Sequence, residues 1–227
     1  MYKHLFEKYF DNTNPESIAS RLRLGRFERL NRFLNSLYTG EVIRILDIGG
    51  DDKYWKNMLK YLKGSVHVTL LNLVPYHDAI DDPRIQAVVG DGRDLSSLFL
   101  DKSFDVVLSN SVIEHVGTLS DQKRMANEIR RVGKAYFIQT PNRYFPLEPH
   151  FLIPFFQFFP TNLKIYIAKI FKPGWYRNRK IEAAIEDAQQ IRLLSKKELM
   201  HLFPDGNIWE EKVMGLTKSF IVYKDIK

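Results

Sequence analysis

Val42-Ile43-Arg44-Ile45-Leu46-Asp47-Ile48-Gly49-Gly50 reads as a buried strand ending on a glycine turn, and Asp51-Asp52-Lys53-Tyr54-Trp55 opens a helix directly after it. Strand, glycine turn and helix in that order make the first unit of a nucleotide-type α/β fold. Glycine has no Cβ, so the backbone can turn sharply and come close to a ligand. The charge of this turn separates ligand classes. A dinucleotide site rests its pyrophosphate on the helix N-terminus, whereas Asp47, Asp51 and Asp52 surround this turn with carboxylates. Such a turn repels phosphate and attracts a cation. S-adenosylmethionine carries an ammonium and a sulfonium and no phosphate, so the turn points towards a methyl donor.

On the C-terminal side the alternation continues. Val66–Leu73, Ile85–Val89, Asp105–Asn110 and Ala135–Thr140 read as further strands. Lys53–Leu62, a short piece after Pro75, Leu95–Leu98 and Asp121–Arg131 read as the intervening helical or loop stretches. Five strands with crossovers imply an α/β, mostly parallel sheet with helices on both faces. Ser195-x-x-Glu198 is a capping-box pattern for a helix running to Phe203. Asn207–Val213 and Lys218–Tyr223, joined at Gly215, read as a closing hairpin. On the N-terminal side, residues 1–40 read as a helical cap. Ile18, Leu22, Phe27, Leu30, Phe33, Leu34 and Leu37 form an apolar stripe there, with Arg21, Arg23, Arg26, Arg29 and Arg32 between them. The expected division is a cap over 1–40 and a ligand-binding domain over 41–227, with 141–194 inserted on the acceptor side.

The 227 residues suit one such domain and a sizeable core, and an apolar content of 44% is ordinary for a globular chain. The absence of cysteine excludes disulfides, thiolate metal sites and cysteine nucleophiles. The N-terminal stretch lacks a signal-peptide layout, and no uncharged run approaches the roughly 20 residues that span a bilayer. A cytoplasmic protein is the expectation. The net charge of +7 suits an anionic partner or a solvated surface.

Ligands of an open α/β sheet bind outside the carboxyl ends of its strands, so polar residues there are the site candidates. After the first strand come Asp47, Gly49 and Gly50. After the second come Asn72 and Leu73, with Asn72 about 25 positions beyond Asp47, close to where a ribose-binding acid is expected. A carboxamide there can accept from one ribose hydroxyl and donate to another. Gly90-Asp91-Gly92 follows the third strand, and its carboxylate can accept from an adenine amine. Asn110-Ser111-Val112-Ile113-Glu114-His115 follows the fourth. Each position alone is ordinary turn chemistry; their recurrence at four successive strand ends is the signal.

The run Ile45–Gly50, then Gly90-Asp91-Gly92, then Phe104-Asp105-Val106-Val107 through Ile113-Glu114-His115-Val116, resembles class I S-adenosylmethionine-dependent methyltransferases. It is closest to the type 11 branch that includes ubiquinone-pathway O-methyltransferases. Gln139–Pro146 and Glu148-Pro149-His150 resemble a bacterial subgroup of that branch often associated with cell-surface or glycan gene sets. The resemblance implies a Rossmann-like, mostly parallel seven-stranded sheet with an antiparallel last strand. It implies S-adenosylmethionine as cofactor, with Asp47 and Gly49 at its methionine end, Asn72 at the ribose and Asp91 and Gly92 at the adenine. Asn110 or Ser111 would hold its amino group, and Gly50 and Leu73 join these as cofactor-binding positions. The chain departs from the family in lacking the third glycine of the turn and in carrying Asn72 in place of the usual acid. Its Asn110-x-x-x-Glu114-His115 also has one carboxylate fewer than the Glu-x-x-x-Glu-His run that binds a divalent metal in ubiquinone-pathway enzymes, so no metal site is expected.

Methyl transfer to a hydroxyl benefits from a general base, and a histidine near neutrality suits that role; His115 and His150 are the candidates. Arg143 is placed to pair with an acidic substrate group, with Tyr144 beside it. Arg21 or Arg26 is placed to clamp the cofactor carboxylate. The expected activity is O-methylation of a small, lipid- or glycan-linked acceptor. Phe151–Pro173, with six phenylalanines among lysines, reads as a cover over the sheet end or as a segment touching the inner face of a membrane. A nucleic-acid methyltransferase is the alternative suggested by charge, although Asn110-Ser111-Val112-Ile113 differs from the Asn-Pro-Pro-Tyr run of base-methylating enzymes. A non-catalytic binding module would keep the same fold. A nicotinamide oxidoreductase is suggested by Tyr176-x-x-x-Lys180, but its phosphate-binding turn is missing.

Overall fold

In the computed structural model, which describes residues 17–76, 80–171 and 181–226, the apolar runs become one seven-stranded sheet. Its strands are β1 (Ile43–Ile48), β2 (Val66–Asn72), β3 (Ile85–Val89), β4 (Phe104–Asn110), β5 (Gly133–Pro141), β6 (Asn207–Val213) and β7 (Leu216–Lys224). The order is β3-β2-β1-β4-β5-β7-β6. Strands β1 to β5 pair in parallel, while β7 runs antiparallel to both β5 and β6. The central strands are apolar nearly throughout because helices cover both of their faces. Polar character returns at their carboxyl ends, where the site lies.

Six helices are described: α1 (Ile18–Leu37), α2 (Asp52–Met58), α3 (Leu119–Val132), α4 (Thr161–Phe171), α5 (Ile181–Gln190) and α6 (Lys196–Leu202). On one sheet face Leu46, Ile48, Val107 and Ile138 pack against Met125, Ala126 and Ile129 of α3 and Leu199 and Leu202 of α6. On the other, Ile45, Val68, Val106 and Ile221 meet Leu30 and Leu34 of α1 and Trp55 and Met58 of α2. Burial of each large apolar side chain contributes roughly 1.5–3 kcal/mol. The helix starts follow from their caps. Ser17, Thr118 and Ser195 accept from backbone N–H groups of the first turns, the last two within complete capping boxes. The closing hairpin turns at Met214 and Gly215, both at positive φ (51° and 82°), the geometry that suits the twist of a two-residue hairpin loop.

Two of the stretches read as helical or loop settle locally. Leu95–Leu98 forms turns, not a helix, because Asp94 accepts from both the backbone N–H and the hydroxyl of Ser96 (3.2 and 2.7 Å) and so competes with helical bonding. Helix α2 stops at Met58, short of Leu62, and turns replace its last residues.

The insertion folds on a small core of its own, Phe151 and Phe156 packing with Ala168 of α4 and Ala184 and Ala188 of α5. Its other side leaves Phe155, Phe158, Tyr166 and Ile170 about half exposed or more. Residues 1–16 of the expected cap, Lys172, Pro173, and the Tyr176 and Lys180 pair lie outside the described residues. Among the described residues no helix is long and apolar enough to cross a membrane.

Candidate active site

The strand order reverses between β1 and β4, and a crevice opens there at their carboxyl ends. Gly49 turns the chain out of β1 with φ +77°, and its N–H donates to Leu71 O at 2.8 Å. A Cβ on Gly50 would collide with Asp47 Oδ2, so the carboxylate lies tight against the turn. Asp47 is buried and accepts from the Trp55 indole Nε1 at 2.7 Å. Burial pushes its carboxyl up from an ordinary 3.8 to about 7, opposed by the Trp55 bond and assisted by the charge of Asp51. The N-terminus of α2 is already satisfied. Asp51 caps it, and Asp52 bonds to the Tyr76 hydroxyl and pairs with Lys56 at 2.8 Å. Nothing is left there for a phosphate.

Two cavities share Gly49 as a lining residue. One, of about 650 Å³, is lined by Gly49, Asn72, Leu73, Asp91 and Gly92, with Val112, His115, Val116 and Met125 on its other side. The second, of about 460 Å³, is lined by Asp47, Gly49, Gly50, Asn110 and Ser111. The structure therefore places all nine expected cofactor-binding residues on the walls of these two cavities. Asn72 Nδ2 donates to Gly50 O at 3.2 Å. Ser111, held at φ +55°, donates its hydroxyl to Gln139 Oε1 at 2.7 Å. Asp91 is less available than expected, because the Arg93 guanidinium grips both its oxygens at 2.6–3.0 Å and holds its carboxyl below the usual range.

Arg26 lines the second cavity, with its guanidinium already engaged by the protein. Its fork pairs with the buried Glu211 carboxylate at 3.1 and 3.0 Å, and Nη1 donates to Asn110 Oδ1 at 2.7 Å. Arg143 and Tyr144 line neither cavity: Arg143 points towards Glu198 at 4.0 Å, and the exposed Tyr144 ring stacks near Phe158. Sequence reasoning missed Tyr54, Gln139, Lys218 and Arg23, which line the second cavity, and Gln190 of α5, which reaches the first. Gln139 alone had a signal, as the polar residue near the end of β5.

The two histidines lie together. His115 sits in a 3-10 turn (Ile113–His115) on the wall of the larger cavity, and its ring meets that of His150 edge-on at 4.9 Å between centroids. His150 lines neither cavity; its Nδ1 bonds Glu148 Oε1 at 2.7 Å. Burial is the largest influence and opposes its charge, but the Glu148 bond together with the charges of Glu148, Glu114 and Asp187 outweighs it, and the ring's pKa stands above its ordinary value. Asp187 Oδ1 lies 3.7 Å from His115 Nδ1. Glu114 is fully buried, with Oε2 accepting from Thr140 Oγ1 at 2.9 Å and Oε1 left without a hydrogen-bond partner.

An acidic glycine turn at the switch point, polar residues at the end of each parallel strand and an antiparallel β7 together define a class I methyltransferase fold. Residues 46–136, about two fifths of the chain, match a methyltransferase domain model, and that stretch is similar to class I, type 11 methyltransferases, whose cofactor is S-adenosylmethionine. Among curated proteins, an uncharacterized protein of Mycobacterium tuberculosis is 39% identical over 56 residues, 25% of this chain and 19% of that protein. The ribosomal RNA large subunit methyltransferase E of a Wolbachia species is 29% identical over 53% of each chain. The chain thus spans between a fifth and about half of the curated relatives it matches. A solved Burkholderia thailandensis 1,6-didemethyltoxoflavin-N1-methyltransferase, with bound 1,6-didemethyltoxoflavin and S-adenosylhomocysteine, shares the fold. Its TM-score is 0.51 at 14% identity, covering 90% of this chain and 83% of that one.

Proposed function

We propose that this chain transfers a methyl group from S-adenosylmethionine to an oxygen of a small, lipid- or glycan-linked acceptor. The observation that carries the reading is the pair of cavities that share Gly49. The residues fit the cofactor. A cationic amino group suits Asp47, a ribose hydroxyl suits the Asn72 oxygen left over once its amide donates to Gly50, and Val112, Val116 and Met125 offer apolar walls for a purine. Ser109 Oγ, buried on the wall of the second cavity, has no partner among the described residues and could bond a ligand there.

The cofactor supplies an electrophilic methyl on sulfur, and alignment of the acceptor provides much of the rate. What remains for the chain is to exclude water and remove a proton. His115 lies on the cavity wall, within reach of an acceptor, and His150 with Glu148 supports it from behind. Residues 1–40 act as a cap, 41–227 as the cofactor domain and 141–194 as the acceptor-side insertion, since α5 reaches the larger cavity through Gln190. The exposed aromatic side of the insertion suits a lipid-linked acceptor at a membrane surface. Mass spectrometry of cell extract incubated with the protein and labelled cofactor tests this. A methylated product is expected, with turnover lowered about a hundredfold or more in His115→Ala and cofactor affinity nearly unchanged. Absence of any product that depends on the protein would defeat the reading.

An RNA acceptor is the second reading, favoured by the net charge of +7 and by the partial similarity to a ribosomal RNA methyltransferase. It predicts RNA binding that falls steeply with salt.

A further inference from the structure

Glu114 and His115, at the end of β4, and His150, from the insertion, present ligand atoms that all lie within 4.8 Å of one another. They come from two separate stretches of chain, so the cluster is a product of the fold. We infer that Glu114, His115 and His150 form a binding site for one divalent transition-metal ion of the zinc kind.

Three features support this. The Glu114 side chain is fully buried, Thr140 occupies only Oε2, and Oε1 has no hydrogen-bond partner among the described residues. A buried carboxylate oxygen left alone is costly, and a cation beside it removes the cost. Next, Glu148 Oε1 bonds His150 Nδ1 at 2.7 Å, and Asp187 lies 3.7 Å from His115 Nδ1. A carboxylate bonded to one ring nitrogen, as Glu148 is to His150, is the arrangement that orients metal-binding histidines and leaves the other nitrogen for an ion. Finally, two imidazoles with one carboxylate suit zinc or a neighbouring transition ion better than magnesium or calcium, which prefer oxygen. Ligand atoms about a zinc ion lie roughly 3.5 Å apart, given bonds of about 2.0–2.2 Å, so the side chains need to close by only about an ångström.

The site goes beyond the methyl-transfer reading, because it can be filled without cofactor or acceptor. It would tie the insertion to the end of β4. With the ion bound His115 is a ligand, so the general-base role proposed for it belongs to the metal-free protein.

The test is calorimetric titration of zinc chloride into metal-free, untagged full-length protein, with cobalt(II) absorption reporting the ligand field. One ion per chain is expected, with Kd below about 10 μM, or about −7 kcal/mol. Binding should weaken at least a hundredfold in His150→Ala and in His115→Ala. It should weaken about ten- to a hundredfold in Glu148→Gln, which leaves all three ligands in place. Circular dichroism confirms that each variant is folded, and Glu114→Gln serves as a further ligand variant if either histidine variant fails to fold. Weak binding of several ions, or one-to-one binding that folded His150→Ala and His115→Ala retain, would overturn the site.

Discussion

Asp47 is where binding and stability oppose one another. Burial raises its folded pKa to about 7 from 3.8. The protonated form is therefore favoured by folding, and its contribution is complete below about pH 4 and lost as pH rises through about 7. Binding of a cationic amino group needs the ionised form, so cofactor affinity should rise over the window in which this contribution to stability falls. Asp47→Asn keeps an acceptor for the Trp55 indole but cannot ionise. A tenfold change in an ionisation constant corresponds to roughly 1.4 kcal/mol, so the variant is expected to be more stable at pH 8 by about 1 kcal/mol or more. It should also flatten the pH dependence of cofactor binding. Urea denaturation at pH 5 and pH 8 checks the first, and titration across the same range the second. Much of this site was legible residue by residue, because Asp47, Asn72, Asp91 and Asn110 follow strands that local pattern reveals. The grip of Arg93 on Asp91 was not legible, since it depends on side-chain directions inside one turn. Nor was the meeting of His115 with His150, which depends on how the insertion folds back.

Helix α1 is held on the sheet by more than its apolar stripe. Arg26 pairs with Glu211 of β6, whose side chain is fully buried, and the Arg29 guanidinium lies 3.8 Å from the centre of the Trp209 ring. Glu211 also accepts from the Ser219 hydroxyl. Glu211→Ala strands a half-buried guanidinium and a buried hydroxyl, and is expected to cost about 3 kcal/mol in urea denaturation. It should also weaken cofactor binding, because Arg26 then loses the partner that fixes its bond to Asn110. A cost within experimental error would show that α1 is held by apolar packing alone. The elements themselves were well forecast by periodicity, and the capping boxes of α3 and α6 mark their starts. The insertion was harder. Its helices pack through Ala168, Ala184 and Ala188, small residues that leave a faint apolar stripe, while prolines at 154 and 160 obscure the starts of its turns.

Across the whole molecule, one end of the sheet collects the acidic turn, the two cavities, the histidine pair and the inner edge of the insertion. The outer side of the insertion shows Phe155, Phe158, Tyr166 and Ile170, an apolar surface that calls for a partner. Flotation with anionic vesicles tests a lipid surface: binding at low salt that fades as salt rises, and that Phe158→Ser with Tyr166→Ser weakens, is expected. Indifference to vesicles would leave the insertion as a cover only. Fold class was readable from the order of elements, because parallel strands joined by crossovers admit few arrangements. The acceptor was not, because the residues that line the cavities come together from distant segments. The central claim is that the cavities that share Gly49 hold S-adenosylmethionine, and calorimetric titration with S-adenosylhomocysteine, with NAD in parallel, tests it most directly. The expected result is saturable one-to-one binding of S-adenosylhomocysteine and none of NAD, with affinity reduced about tenfold or more in Asp47→Asn at pH 8. Binding of NAD in its place, or an unchanged affinity in Asp47→Asn, would contradict the account.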